Sequence, residues 1–257
     1  MNKKLLSSSI LASLALVGSS PAALIAHYTL DEASGTTAAD SSGNGFDMAW
    51  QGPAGTPDWQ PAGGIAGGAF NFTGTDNDAF LTTTAISQTI PLTMSVWVNT
   101  ASTANDTLVY VGDGATNGSY YTTKIQGGTP RVVARNTTER QAAGPAVNDS
   151  TWHHIASVYV SDTERFLYVD GVLANTNTIE VTGLTATRFG IGALTRGTGP
   201  VDEFTGLLDD VQIYDQVLDA TQISFLHANP GATIPEPSVP ALVALVAGAG
   251  LLRRRRS

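Results

Sequence analysis

The segment Phe166-Leu167-Tyr168-Val169-Asp170-Gly171-Val172-Leu173 narrows the choice of fold more than any other stretch of this chain. An Asp-Gly pair between two apolar runs favours a two-residue type I′ turn, because both central positions need positive φ. The strand ending at Val169 then pairs antiparallel with one starting at Val172. Similar short runs rich in Val, Ile, Thr and aromatic residues recur between clusters of Gly, Asp, Asn and Ser. Strands are expected over residues 25–30, 69–72, 94–99, 107–111, 120–125, 131–135, 152–160, 165–169, 172–177, 187–191 and 207–214. Period-two alternation puts Met94, Val96 and Val98 on one face and Ser95 and Trp97 on the other. Trp152, His154, Ala156, Val158 and Val160 likewise oppose His153, Ile155, Ser157 and Tyr159. Both faces carry apolar groups, so these strands belong inside a sandwich.

One short helix is expected, where Asp219 caps a turn and Gln222 reaches back as in a capping box. Many strands with one helix argue for an antiparallel sandwich and against βαβ architecture. Without a clean mid-chain linker, residues 23–230 read as one domain. Apolar residues are 42% of the chain, enough for a core, and there is no cysteine. That excludes disulfides, thiolate metal sites and cysteine catalysis. Residues 23–230 hold seven basic and 21 acidic residues, a balance of −14. Such a body repels a phosphate backbone, and no nucleic-acid partner is expected.

The two ends read as addresses. Lys3 and Lys4 precede an apolar run, and Ser20-Pro21-Ala22 offers a small-x-small cleavage site. Residues 1–22 therefore read as a secretory signal peptide, which makes the protein exported. Residues 231–238 form a linker containing Pro235-Glu236-Pro237, and residues 239–257 are an apolar segment ending in Arg253 to Arg256. Its 14 mostly apolar residues would rise only about 21 Å as a transmembrane helix, short of a comfortable span. This tail resembles the PEP-CTERM sorting signal of Gram-negative bacteria. The resemblance implies recognition by an exosortase, transient residence in the inner membrane and removal of the tail; a retained anchor and a disordered apolar tail with no address are the alternatives. The destination would be the outer surface, the extracellular matrix or the medium.

The body resembles the laminin-G-like, concanavalin A-like jelly-roll domain. His27-Tyr28-Thr29-Leu30-Asp31-Glu32, Gly68-Ala69-Phe70-Asn71-Phe72, Ser95-Val96-Trp97-Val98, Trp152-His153-His154-Ile155-Ala156, Leu167-Tyr168-Val169-Asp170-Gly171 and Leu208-Asp209-Asp210-Val211-Gln212-Ile213-Tyr214 follow in family order. The exit Val217-Leu218-Asp219 into a short helix matches as well. Asn71 stands where the family often has Asp. The resemblance implies an all-β jelly-roll sandwich of two antiparallel sheets with one short C-terminal helix.

Related sandwiches often carry a structural calcium between the first and last strands. Calcium wants six to eight oxygens, which Asp31, Asp40, Asp76 and Asp209 could help supply. Period-two counting puts Asp209 on the inward face with Val211 and Ile213. The alternative is that these carboxylates are satisfied by local amides. No HExxH motif, Gly-x-Ser-x-Gly elbow or Glu-x-Asp-x-x-Glu string exists, so no catalytic residue is assigned.

What remains is recognition. Tyr110, Tyr120, Tyr121 and Arg135 are the candidate ligand-binding residues, with Trp50 and Trp59 as further stacking surfaces. The expected function is a non-catalytic, lectin-like module at the cell surface or in the matrix, binding a polysaccharide or surface glycoprotein. The acidic body suits a neutral or cation-bridged polysaccharide better than an anionic one. A protein–protein adhesion module and a glycoside hydrolase are the competing readings.

Overall fold

The computed structural model describes residues 23–53, 55, 57–114, 119–184, 186–197 and 199–235. The expected signal peptide and the apolar tail lie outside the described residues. Among the described residues, no helix is long and apolar enough to cross a membrane.

In chain order the first nine strands are β1 (Leu24–Tyr28), β2 (Thr37–Ala38), β3 (Met48–Trp50), β4 (Trp59–Gln60), β5 (Ala69–Thr73), β6 (Phe80–Thr82), β7 (Leu92–Asn99), β8 (Asn105–Gly112) and β9 (Tyr120–Gln126). There follow β10 (Thr129–Arg135), β11 (Glu139–Ala143), β12 (Trp152–Ser161), β13 (Glu164–Val169), β14 (Val172–Asn177), β15 (Arg188–Ile191), β16 (Leu194–Arg196), β17 (Gly199–Val201), β18 (Thr205–Tyr214) and the helix α1 (Ala220–Ala228). One sheet runs β14-β13-β12-β7-β18-β5-β4, with β1 also paired to β18. The other runs β11-β10-β9-β8-β15-β6-β3-β2, and β16-β17 is a separate hairpin. Antiparallel strands far apart in sequence lie side by side, as a jelly roll requires.

Alternation decides what each face buries. Met94, Val96 and Val98 of β7 and Ile155 and Tyr159 of β12 enter the core between the sheets. Ala156 and Val158 point the other way, into a second apolar cluster with Tyr214, Leu218, Ile223 and Leu226. Ile223 and Leu226 come from α1, so the helix covers the outer face that would otherwise be wet. Asp219 caps it as expected: its Oδ1 accepts the Gln222 amide at 2.9 Å, and Gln222 Oε1 accepts the Asp219 amide at 2.9 Å. Burying each Val, Leu or Ile contributes roughly 1.5–3 kcal/mol, so the two-sided strands β7 and β12 anchor the fold.

Polar groups inside are paired rather than absent. The Tyr159 hydroxyl crosses the core to donate to the carbonyls of Thr122 and Val133 at 2.9 and 3.0 Å. At the side of the sandwich Asn175 Nδ2 donates to the Ala143 carbonyl at 2.8 Å, tying the edge strand β14 to the edge strand β11.

The Asp-Gly turn forms as the residues dictate. Val169 pairs with Val172, and Asp170 and Gly171 take φ of 49° and 77°. A Cβ at Gly171 would also lie 3.2 Å from the His227 ring of α1. Gly171→Ala is therefore expected to lower stability by about 1–2 kcal/mol, combining left-handed strain with that contact. A urea unfolding midpoint equal to the parent's would contradict this.

Candidate functional site

Three of the four carboxylates expected to hold calcium, Asp31, Asp40 and Asp209, are engaged by backbone amides. Asp31 Oδ1 accepts the Gly68 amide at 2.5 Å, and Asp209 Oδ2 accepts those of Ile65 and Ala66 at 2.8 and 3.0 Å. These two carboxylates thus pin one loop, 65–68, onto the sheet. Asp40 closes a different loop, taking the amides of His27, Ser42 and Phe46 at 3.1, 2.9 and 3.0 Å. Asp76 is exposed, at a left-handed position with φ 57°. Among the described residues no three His, Asp or Glu side chains gather closely enough to hold a metal ion. The residues present do not fit a calcium cage shared by Asp31, Asp40, Asp76 and Asp209.

The placement of Asp209 corrects the period-two reading. The register of β18 on β7 shifts between Asp209 and Gln212, and Asp210 takes φ 48°. This β-bulge adds a residue and reverses the alternation. Leu208, Val211 and Ile213 all enter the main core, while Asp209 lies opposite Trp97 on the outer face. Asp210 is held there by His27 Nε2 at 2.8 Å and by Gln212 Nε2 at 2.7 Å. His227 stacks on Trp97 with ring centroids 5.5 Å apart. His27 and His227, without evident partners in the sequence, both serve this seam beside α1.

The aromatic candidates are also corrected. Tyr121 faces the core and packs edge-on against Tyr159 at 4.9 Å. Tyr110 and Tyr120 lie on the outer face of the second sheet, but the hairpin residue Leu194 covers them, with Val133 beside them and Val201 against the cluster. Burial, the largest influence on each, pushes the Tyr110 and Tyr121 phenols up to about 12. Trp50 is wedged between Phe70 and Phe80 at 5.1 Å, and Trp59 is 8% exposed. The three tyrosines and Trp59 are buried packing elements, while Trp50 is half-buried against the core.

Arg135 is where a site begins. The register aligns Arg131, Val133 and Arg135 of β10 with Lys124, Thr122 and Tyr120 of β9. On the other side they meet Ala143, Gln141 and Glu139 of β11. Val133 belongs to the cluster under the hairpin, so this row is the outer face. Arg135 sits over the Tyr120 ring, its Cζ 5.6 Å from the centroid. The Tyr120 hydroxyl donates to Glu139 Oε1 at 2.6 Å, and the buried Lys124 ammonium donates to Glu139 Oε2 at 2.8 Å. Burial alone would raise the Glu139 carboxyl; those two hydrogen bonds, together with the positive charges of Lys124 and Arg135, outweigh it and hold the group below the usual carboxylate range.

Arg131 Nε, Arg135 Nη1 and Gln141 Oε1 are sheltered from solvent and have no partner among the described residues. Sheltered polar atoms call for a partner, which a ligand or an ordered water can supply. Beyond the end of β10, a hollow of about 190 Å³ is lined by Asn136, Thr137, Thr138, Arg140, Glu180, Val181 and Thr182. A larger one, about 620 Å³, lies by Ala23, Asn44, Asp215 and Ile234 and shares none of these residues. Of this face the sequence indicated Tyr110, Tyr120 and Arg135. It did not indicate Lys124, Arg131, Glu139 or Gln141: alternation puts Arg131 on the face of Arg135, but the cross-strand neighbours follow only from the registers of two hairpins.

A model of the Laminin_G_3 family, described as concanavalin A-like lectin/glucanases superfamily, matches residues 72–224. A part of the sushi, von Willebrand factor type A, EGF and pentraxin domain-containing protein 1 of Rattus norvegicus is 26% identical over 152 residues, covering 54% of this chain. The chain spans 4% of that protein's length. Domain 4 of AbnA, a GH43 extracellular arabinanase from Geobacillus stearothermophilus solved with arabinotriose, superposes with a TM-score of 0.63 at 22% identity. That match covers 80% of this chain and 99% of the other. The binding domain of Paraclostridial Mosquitocidal Protein 1 superposes with a TM-score of 0.61 at 13% identity, covering 79% of this chain and 51% of the other. At these identities the likeness is one of fold.

The seam beside α1 is where pH acts on stability. Burial, with a smaller contribution from neighbouring Asp210, raises the Asp209 carboxyl to about 7 against the backbone amides that lower it. Between about pH 4 and 7 the folded chain keeps a proton that the unfolded chain has released, so stability falls as pH rises through that window. His154 acts oppositely. Burial chiefly, and His227 secondly, lower it to about 4, so its contribution is lost as pH falls from about 6.5 to 4. Asp209→Asn removes the first effect alone. The melting temperature of the variant is expected to climb more steeply than the parent's between about pH 4.5 and 6.5. Matching profiles would contradict the assignment.

Proposed function

The chain belongs to the Laminin_G_3 family of the concanavalin A-like lectin/glucanases superfamily, and on that premise we propose an exported, non-catalytic module that binds polysaccharide at the cell surface or in the matrix. The observation that carries the reading is the polar face of β9, β10 and β11. There Arg131, Arg135 and Gln141 hold sheltered hydrogen-bonding atoms without partners among the described residues. Sugars are recognised by such directed hydrogen bonds, and charged donors make the strong ones. A domain of the same fold has been solved with arabinotriose, which makes sugar the first ligand class to test.

Binding is favoured over hydrolysis by the carboxylates. A glycosidase needs two, one of them with a raised pKa to act as acid. The outward positions of β9, β10 and β11 carry one, Glu139, and its carboxyl is lowered and paired to Lys124 and Tyr120. Export and sorting rest on the terminal segments: the signal peptide would release a chain beginning near Ala23, and an exosortase would act on the Pro-Glu-Pro tail.

Affinity electrophoresis of the full chain through gels containing a panel of polysaccharides tests the reading. At least one polymer is expected to retard it, with no release of reducing ends. Arg135→Ala and Gln141→Ala should each weaken that retardation about fivefold or more, the loss of one or two good hydrogen bonds. Unretarded migration in every gel, or release of reducing ends, would overturn it. Mass spectrometry of the protein recovered from its host is expected to show both terminal segments removed; intact ends in the cytoplasmic fraction would refute export.

A further inference from the structure

Resting on the polysaccharide-binding reading, we infer that the polymer this face takes is acidic, bearing carboxylate or sulfate groups read by Arg131 and Arg135. Positive charge is scarce in the body: against 21 acidic residues, residues 23–230 hold Lys124, Arg131, Arg135, Arg140, Arg165, Arg188 and Arg196. Three of the seven, Lys124, Arg131 and Arg135, occupy outward positions on adjacent strands. A fourth, Arg188, packs beside Gly114 at the end of β8. Glu139 is the one carboxylate among the outward positions of β9 to β11, and Lys124 neutralises it. The patch is therefore net positive by two on a body whose balance is −14.

The two arginines are not used up internally. Among the described residues neither Arg131 nor Arg135 joins a salt bridge. Arg135 Nε donates to the Thr137 carbonyl at 3.3 Å and the guanidinium lies over Tyr120, which orients it. A guanidinium with donors unpaired among the described residues suits a carboxylate or sulfate, which can accept two parallel hydrogen bonds. Arg131 and Arg135 stand four residues apart on one strand, roughly 13 Å, so they would meet separate units of one polymer. The surrounding acidity does not forbid this, because exposed charges beyond about 8 Å are largely screened at physiological salt. Total charge pointed to a neutral ligand; the local arrangement points to an anionic one.

The test compares binding of the full chain to alginate, dextran sulfate and neutral dextran by affinity electrophoresis. Alginate or dextran sulfate is expected to bind about tenfold or more tightly than dextran, weakening about tenfold or more between roughly 50 and 500 mM NaCl. Preference between the two distinguishes carboxylate from sulfate. Arg131→Gln and Arg135→Gln, checked for parental circular dichroism, should each weaken binding about fivefold or more, and Arg135→Lys should restore part of the loss. Should a variant fail to fold, the polymer preference and salt series of the parent decide. Equal binding to dextran without salt dependence would overturn the acidic assignment and leave the polysaccharide reading standing. Retardation by no polysaccharide would remove both.

Discussion

Everything in this molecule depends on central strands that are dry on both faces. An open antiparallel sheet commonly buries one face and wets the other. In β7 and β12 the inward residues fill the space between the sheets, and the outward ones meet α1 and the segment after it. No disulfide is available to a chain without cysteine, so packing and paired polar groups hold the sheets together. The cost falls on polar side chains trapped by the second layer. Among the described residues, Trp97 Nε1, His154 Nδ1 and Asp209 Oδ1 are buried without partners around the same cross-strand row. Titration of that row opposes one acid against one base, which leaves net stability less sensitive to pH than either group alone would make it.

The bulge in β18 organises the rest. By inserting one residue between Asp209 and Gln212 it lets Leu208, Val211 and Ile213 all serve the core. It also brings two consecutive carboxylates into the outer layer. Asp209 secures the 65–68 loop, while Asp210 gathers His27, Gln212 and the Gly231 amide. First strand, last strand and C-terminal segment are thereby joined through hydrogen bonds in place of a staple.

Much of this was legible in the residues because it is local. The Asp170-Gly171 turn, the Asp219 capping box and the alternation of β7 follow from a few neighbouring positions each. Strands such as β2 and β4, two residues long, carry too little pattern to be seen. The bulge was invisible for another reason: Leu208-Asp209-Asp210-Val211 reads equally well with or without an inserted residue, and only the pairing with β7 decides. The candidate face suffered similarly. Arg135 and Tyr120 could be singled out, but their meeting with Arg131, Lys124 and Glu139 depends on the registers of two hairpins. The burial of Tyr110 and Tyr120 depends on a distant hairpin, β16-β17, whose short strands gave no signal.

Placing ligand recognition on strands rather than on the loops carrying Asp31, Asp40 and Asp76 is the central claim. Hydrogen–deuterium exchange of the full chain, with and without a polysaccharide that retards it, tests that placement most directly. Slowed exchange is expected across residues 120–143, with the 31–47 and 73–78 loops unchanged. Protection confined to those loops would contradict the account.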